Sequence, residues 1–281
     1  MILGENMQFL DYVLIALGSA AVLFAVYLLL IAPGKRQGVK DYKGIRFAHR
    51  GLHDETKAEN SMSAFSEAVE AGFGIELDVR LSKDGELVVF HDDTLDRVCG
   101  TEGRVDAFTA AELSKMSLSG TKDGIPRFSK VLELVDGKVP LLVEIKEDMG
   151  NSNVSEKCAE MLHRYKGDFI VESFNPLSLR NSKKILKNTP HGILSHKYYA
   201  YEKYRKPLYF LLQVLLTNCL CRPSFVAYDH KHFKCVSLRI LRKIFGVTTF
   251  AWTIRSADEE MMAYRHGFDG VIFEGYVPED K

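Results

Sequence analysis

Several side chains able to do chemistry stand at the ends of short apolar runs in the first half of the chain. His49-Arg50-Gly51, Glu59-Asn60, Glu76-Leu77-Asp78 and His91-Asp92 fall within one stretch of 44 residues. Two imidazoles can serve as general acid and general base near neutral pH. Carboxylates at i and i+2 of a strand share a side, so Glu76 and Asp78 offer converging oxygen ligands. Glu144 and Lys146 repeat that spacing in a later apolar run, LLVEIK. Carboxylates inside a protein are costly to leave unpaired. A divalent cation held by Glu76, Asp78 and Glu144 is the economical explanation, and all-oxygen ligation favours Mg2+ or Ca2+ over Zn2+. Arg50, beside the first histidine, carries a planar fork suited to phosphate. Together these groups describe metal-assisted cleavage of a phosphodiester. Each also has an ordinary reading: a histidine after a strand is commonly a surface or capping residue, and Glu144 and Lys146 can simply form an ion pair. Their joint occurrence at run ends favours the chemical one.

Such groups must be carried by elements that bring them together. From Ile45 onward, short apolar runs alternate with segments of helical period. The expected strands are Ile45–Ala48, Gly74–Val79, Leu87–Phe90, Leu141–Ile145, Phe169–Val171, Gly192–Leu194, Phe225–Tyr228, Val247–Trp252 and Val271–Phe273. Helices are expected at Ser61–Ala71, Thr109–Met116, Val154–Tyr165, Ser178–Lys187, Val236–Phe245 and Asp258–His266. Thr109 with Glu112 three residues on is a capping-box signature. This α/β alternation predicts a parallel sheet closed as a (β/α)8 barrel, with active groups at the carboxyl ends of its strands. Nine strand candidates exceed eight by one, and either Gly192–Leu194 or Phe225–Tyr228 is expected to be irregular. On this reading His49 closes the first strand, His91 the third, and Glu144 with Lys146 the fourth. The stretch Asp92–Val139 is long for one connection and suggests a small excursion on the rim.

At these residues the chain resembles the glycerophosphodiester phosphodiesterase family. The resemblance runs through FAHRG (Phe47–Gly51), AEN (Ala58–Asn60), ELDVRLSKDGELVVFHDDTLDR (Glu76–Arg97) and IPRFSKVLELVDGKVPLLVEIK (Ile125–Lys146). It continues in ESFNP (Glu172–Pro176) and AWTIRS (Ala251–Ser256), and so spans nearly everything after the first forty residues. It implies a TIM barrel that hydrolyses glycerophosphodiesters to glycerol 3-phosphate and an alcohol. By matching positions it implies His49 and His91 as the acid/base pair, Glu76, Asp78 and Glu144 as metal ligands, and Arg50 and Lys146 as phosphate contacts. Glu59 and Asn60 would brace the site, and Trp252 would line the substrate pocket. Ala58 stands where the family usually has proline. Phe273-Glu274 stands where Thr-Asp is common, and no role is carried over to it. Two further readings compete: a lysophospholipase D or phospholipase C-like lipid phosphodiesterase, and a membrane-tethered barrel that binds phosphate without cutting it.

The amino terminus is a different material. Val13 to Ala32 is uncharged, about the length a helix needs to cross a bilayer. Glu5 and Asp11 precede it, while Lys35, Arg36, Lys40 and Lys43 follow. A cleaved secretory signal carries its positive charge ahead of the apolar run, so a retained single-pass anchor in the cell membrane is expected. The positive-inside rule then places the catalytic domain in the cytoplasm. This divides the chain into an anchor (1–34), a basic juxtamembrane linker (35–44) and the barrel domain (45–281). Five cysteines without a repeating spacing do not suggest a disulfide framework. The 37 basic and 37 acidic residues balance, so no global basic field draws the chain to nucleic acid. One stretch, 196–220, pairs tyrosines and basic residues with an apolar run too short to span a bilayer. It reads either as a helix covering the barrel or as an interfacial contact with the membrane.

Overall fold

A computed structural model describes residues 2–34, 38–147 and 153–279; Lys35 and Arg36 of the basic cluster lie outside them. The strands are β1 (Arg46–Ala48), β2 (Gly74–Leu81), β3 (Leu87–Val89), β4 (Leu141–Ile145), β5 (Phe169–Ser173), β6 (His191–Ser195), β7 (Phe225–Asp229), β8 (Thr248–Ile254) and β9 (Gly270–Phe273). The helices are α1 (Ile2–Ile31), α2 (Met62–Glu70), α3 (Asp96–Cys99), α4 (Ala110–Leu113), α5 (Phe128–Val135), α6 (Val154–Arg164), α7 (Pro176–Ile185), α8 (Pro207–Gln213), α9 (Asn218–Cys221), α10 (Val236–Lys243) and α11 (Ala257–Arg265).

Eight of the strands are parallel and close on themselves: β1 pairs with both β2 and β9, and β2, β4, β5, β6, β7, β8 and β9 follow in order. The expectation that β6 or β7 is irregular is wrong. Both sit in register, with Gly192 opposite Phe225. A Cβ on Gly192 would lie 2.0 Å from the Phe225 ring, so the absent side chain is what lets the aromatic enter the barrel. The surplus strand is β3, which returns antiparallel along the far end of β2 (Val79 opposite Val89, Leu81 opposite Leu87). His91 therefore does not close a barrel strand; a hairpin delivers it to the mouth.

Alternation along each strand sorts residues between the barrel interior and the helix layer. Phe47, Leu142, Ile170, Leu194, Phe225 and Phe250 fill the interior, and Val39 and Tyr42 join that core from the segment ahead of β1. Glu144 and Glu172 follow Leu142 and Ile170 by two residues, so they stand on the same inner face nearer the carboxyl end. The outer helices carry the complementary stripe: α2 packs Ala64, Phe65 and Ala68 inward, and its cap Ser61 accepts from the Ala64 N–H. Val88 of β3 joins Phe90, Leu95, Val105, Leu113 and Ile125 from the stretch between β3 and β4 in a small core of their own, the rim excursion. The Thr109–Glu112 capping box is present, though α4 is a single turn rather than the eight residues expected. The barrel helix α5, with Phe128, Val131, Leu132 and Val135 buried, lies inside the stretch read as a connection.

Candidate functional site

The mouth is built from the ends of β1, β2, β4, β5 and β9 and from the β2–β3 hairpin. Ligand oxygens of Glu76, Asp78 and Glu144 all lie within 4.8 Å of one another, and the three side chains are buried. Strand register explains the cluster: Asp78 is opposite Glu144, and Glu144 opposite Glu172. Glu172 is a fourth buried carboxyl, one of its oxygens (Oε2) without a hydrogen-bond partner. Against these four stand two cations, Arg50 and Lys146. The Lys146 ammonium lies 2.7 Å from Glu144 and 3.1 Å from Asp78, and the Arg50 Nε is 3.4 Å from Asp78.

Two negative charges are left over when all four carboxyls ionise. Burial, then the charges of Asp78 and Glu144, pushes the Glu76 carboxyl well above its ordinary range. Burial, then Glu144, does the same to Glu172. Burial also works against the Asp78 carboxylate, yet Lys146, His91, Arg50 and the Asn60 amide together hold it well below the usual value. A buried, all-oxygen cluster with this excess fits a hard divalent cation.

His49 follows β1, and its backbone N–H donates to the Phe273 carbonyl (2.8 Å) across the β1–β9 ladder. Its Nδ1 bonds the Glu274 carboxylate, and its Nε2 lies 4.0 Å from Glu76. Burial is the main influence on the His49 ring and lowers its pKa, so the imidazole is neutral at neutral pH. Burial alone would raise Glu274, but the His49 hydrogen bond and Arg255 (2.5 Å) keep it ionised, at about 2. His91 has the same arrangement with its own neighbour, Nδ1 to Asp92 at 2.6 Å. Arg80 clamps the His91 carbonyl with two N–H groups, at 2.9 and 2.7 Å.

The turn after β1 is fixed by backbone geometry. Arg50 and Asn60 adopt φ of 57° and 55°, and Gly51 of 83°. A Cβ on Gly51 would come within 2.9 Å of the Ala64 backbone, so helix α2 can press against the turn only if that residue is glycine. The Arg50 N–H donates to Glu76 (2.9 Å) and its guanidinium to Glu59 (2.8 Å). Asn60 Nδ2 donates to Asp78 at 2.8 Å. Arg97 joins Glu59 to Asp92 with bonds of 2.6 to 2.9 Å. A continuous polar chain thus runs from Asp78 through Arg50, Glu59, Arg97 and Asp92 to His91.

A cavity of about 490 Å3 opens beside Glu144 and Lys146, with Phe174, His196, Tyr198 and Tyr209 on its walls. Trp252 stands behind two of these, edge-on to Phe174 at 5.6 Å and to His196 at 6.0 Å. A larger surface cleft, about 640 Å3 and lined by Lys43, Arg239, Arg242 and Lys243, lies at the opposite end of the barrel, away from the carboxylates.

The fold thus brings together the residues singled out from sequence, with Trp252 one layer back. Sequence reading missed Glu274, Glu172 and Arg97. Glu274 closes the last strand, at a position set aside because it departs from the family pattern. Residues 49–275 match the Glycerophosphoryl diester phosphodiesterase family. A glycerophosphodiester phosphodiesterase of Caldanaerobacter subterraneus subsp. tengcongensis is 32% identical over 252 residues, covering 82% of this chain and 93% of that protein. A lysophospholipase D of Rattus norvegicus is 31% identical, covering 80% and 81%. The solved glycerophosphodiester phosphodiesterase of Thermotoga maritima superposes with a TM-score of 0.63 at 28% identity, over 82% of this chain and 94% of that one. The match to the family runs from His49, directly after β1, through β9, and the chain is a member of the glycerophosphoryl diester phosphodiesterase family.

Proposed function

We propose that this protein hydrolyses glycerophosphodiesters to glycerol 3-phosphate and an alcohol, with His49 and His91 as the acid/base pair. The observation that carries this reading is the pair of histidine–carboxylate couples, His49–Glu274 and His91–Asp92, bordering one buried acidic cluster. In each couple a carboxylate accepts from Nδ1, which leaves Nε2 free to take or give a proton. One imidazole removes a proton from the attacking oxygen as that oxygen bonds to phosphorus. The other protonates the alcohol oxygen as its bond to phosphorus breaks. The attacking oxygen belongs either to water or to the neighbouring glycerol hydroxyl, the second route passing through a cyclic phosphate that water then opens. Arg50 and Lys146 supply positive charge to the phosphate oxygens, and Glu59 and Asn60 hold Arg50 and Asp78 in place. Glu76, Asp78 and Glu144 would hold Mg2+ or Ca2+, which when bound adds Lewis-acid neutralisation of phosphate charge.

His49→Ala and His91→Ala are each expected to lower turnover of glycerophosphoethanolamine about 100-fold or more, with the circular dichroism spectrum unchanged. Wild-type rates in either variant refute the assignment. Exhaustive chelation is expected to abolish turnover, and Mg2+ or Ca2+ to restore it; full activity after chelation removes the cation from the account. A second reading, cleavage of an acylated glycerophosphodiester, is favoured by the aromatic cavity beside Lys146 and by the relative named lysophospholipase D.

Phe9–Ile31 is long and apolar enough to cross a membrane. We read 1–34 as a retained single-pass anchor, 35–44 as its basic juxtamembrane segment and 45–281 as a catalytic domain held at the cytoplasmic surface.

A further inference from the structure

The direction in which α1 leaves the barrel decides which end of the barrel meets a bilayer. Tyr27 bonds Ser237 at 2.8 Å, at the start of α10. That helix follows β7, so it begins at the catalytic end. Ile31 is fully buried, and its carbonyl accepts from Asn218 at 3.1 Å. The Gly34 N–H donates to the Pro223 carbonyl at 3.0 Å, just ahead of β7 and therefore at the opposite end. From Tyr27 to Gly34 the chain descends the side of the barrel. Residues 9–26 must then project past the catalytic mouth, and every one of them is exposed. As a helix they extend about 27 Å, close to the thickness of the hydrocarbon core.

The rim next to this exit has the composition of a membrane interface. Gln213, at the end of α8, accepts from Tyr228 (3.0 Å) and lies 3.8 Å from Cys235, two residues before the Ser237 that holds Tyr27. Leu208, Phe210 and Leu211 of α8 are exposed, as is Val236. Exposed Lys197, Lys203, Arg205 and Lys206 flank them, with Tyr201 half exposed. Apolar groups at the surface with tyrosine and basic residues beside them suit the headgroup layer. The same segment walls the cavity: Leu208, Tyr209 and Leu212 line it together with Lys146 and Glu144.

We propose that the rim from Tyr198 to Gln213 lies in the headgroup layer of the bilayer that α1 crosses, so that the catalytic mouth opens onto the membrane. The cavity then receives the hydrocarbon chain of a glycerophosphodiester that still carries one acyl group, with its phosphate at Lys146. This substrate class rests on the hydrolase reading above; the membrane seat does not.

The seat is tested in the full chain reconstituted in phosphatidylcholine–phosphatidylglycerol vesicles, with Trp252→Phe as background. A single tryptophan is placed by Phe210→Trp, by Leu211→Trp, or by Lys187→Trp at the opposite end of the barrel. Lipids brominated near the headgroup end of the acyl chain are expected to quench the first two and spare the third. Equal quenching at all three positions, or none at the α8 positions, overturns the seat. The substrate class is tested with Phe210→Asp/Leu211→Asp, neither residue lining the cavity. Turnover of vesicle-borne lysophosphatidylethanolamine is expected to fall about tenfold or more relative to wild type, with soluble glycerophosphoethanolamine unaffected. Equal effects on both substrates overturn the proposal. A wild type that cleaves neither overturns the hydrolase reading, and the quenching pattern alone then decides the seat.

Discussion

His49 and Glu274 meet across 225 positions of sequence, and this pairing is what turns an ordinary imidazole into a directed one. The carboxylate fixes the ring through Nδ1 and adds negative charge beside a group whose burial favours the neutral form. Glu274→Gln keeps the shape and removes the charge. An NMR titration of His49 is then expected to move to lower pH, because the protonated ring loses its partner. Turnover should fall about tenfold or more with little change in KM, and an unshifted titration sinks the coupling. The histidines and the Glu76/Asp78/Glu144 set were legible because their spacing coincides with strand ends. Glu274 was not, since a lone acid after an apolar run acquires meaning only from the neighbour the barrel supplies.

Among the elements, α1 does two different things along its length. Residues 9–26 are exposed, whereas Tyr27 to Gly34 pack against α9, α10 and the segment before β7. Ile31 is the apolar anchor of that contact. Ile31→Ala is expected to destabilise the barrel by about 2–4 kcal/mol in denaturant titrations in detergent; no change would mean that the docked turn contributes nothing. The nine apolar runs were readable, but not which of them was surplus. Hydrophobic periodicity does not tell a parallel strand from an antiparallel one. β3 looked like a barrel strand, while β6 needed the Gly192–Phe225 fit to be recognised as one. The spacing of Phe128, Val131, Leu132 and Val135 is helical, yet α5 was hidden inside a stretch treated as a connection.

On the scale of the whole molecule, buried titratable groups tie stability to pH. His191, at the start of β6, is fully buried with Nε2 unpaired, and burial lowers its pKa to about 4. The unfolded chain binds that proton nearer 6.5. The folded state therefore holds fewer protons between these values, and its stability falls as pH drops from about 6.5 toward 4. The contribution is at most about 3 kcal/mol. His191→Leu is expected to flatten the melting temperature across that window, and an unchanged slope rules the residue out as its source.

Short-range pattern in the sequence was enough for the α/β barrel, the apolar leading helix and the residues of the acidic cluster, because alternation and i,i+2 spacing are properties of neighbouring positions. Only tertiary structure decided which strand lay outside the barrel, that Glu274 and Glu172 belong at the mouth, and that α1 departs past the catalytic end. Those facts depend on closure, register and helix docking, which join groups far apart in the chain and leave no local trace for a linear reading to find.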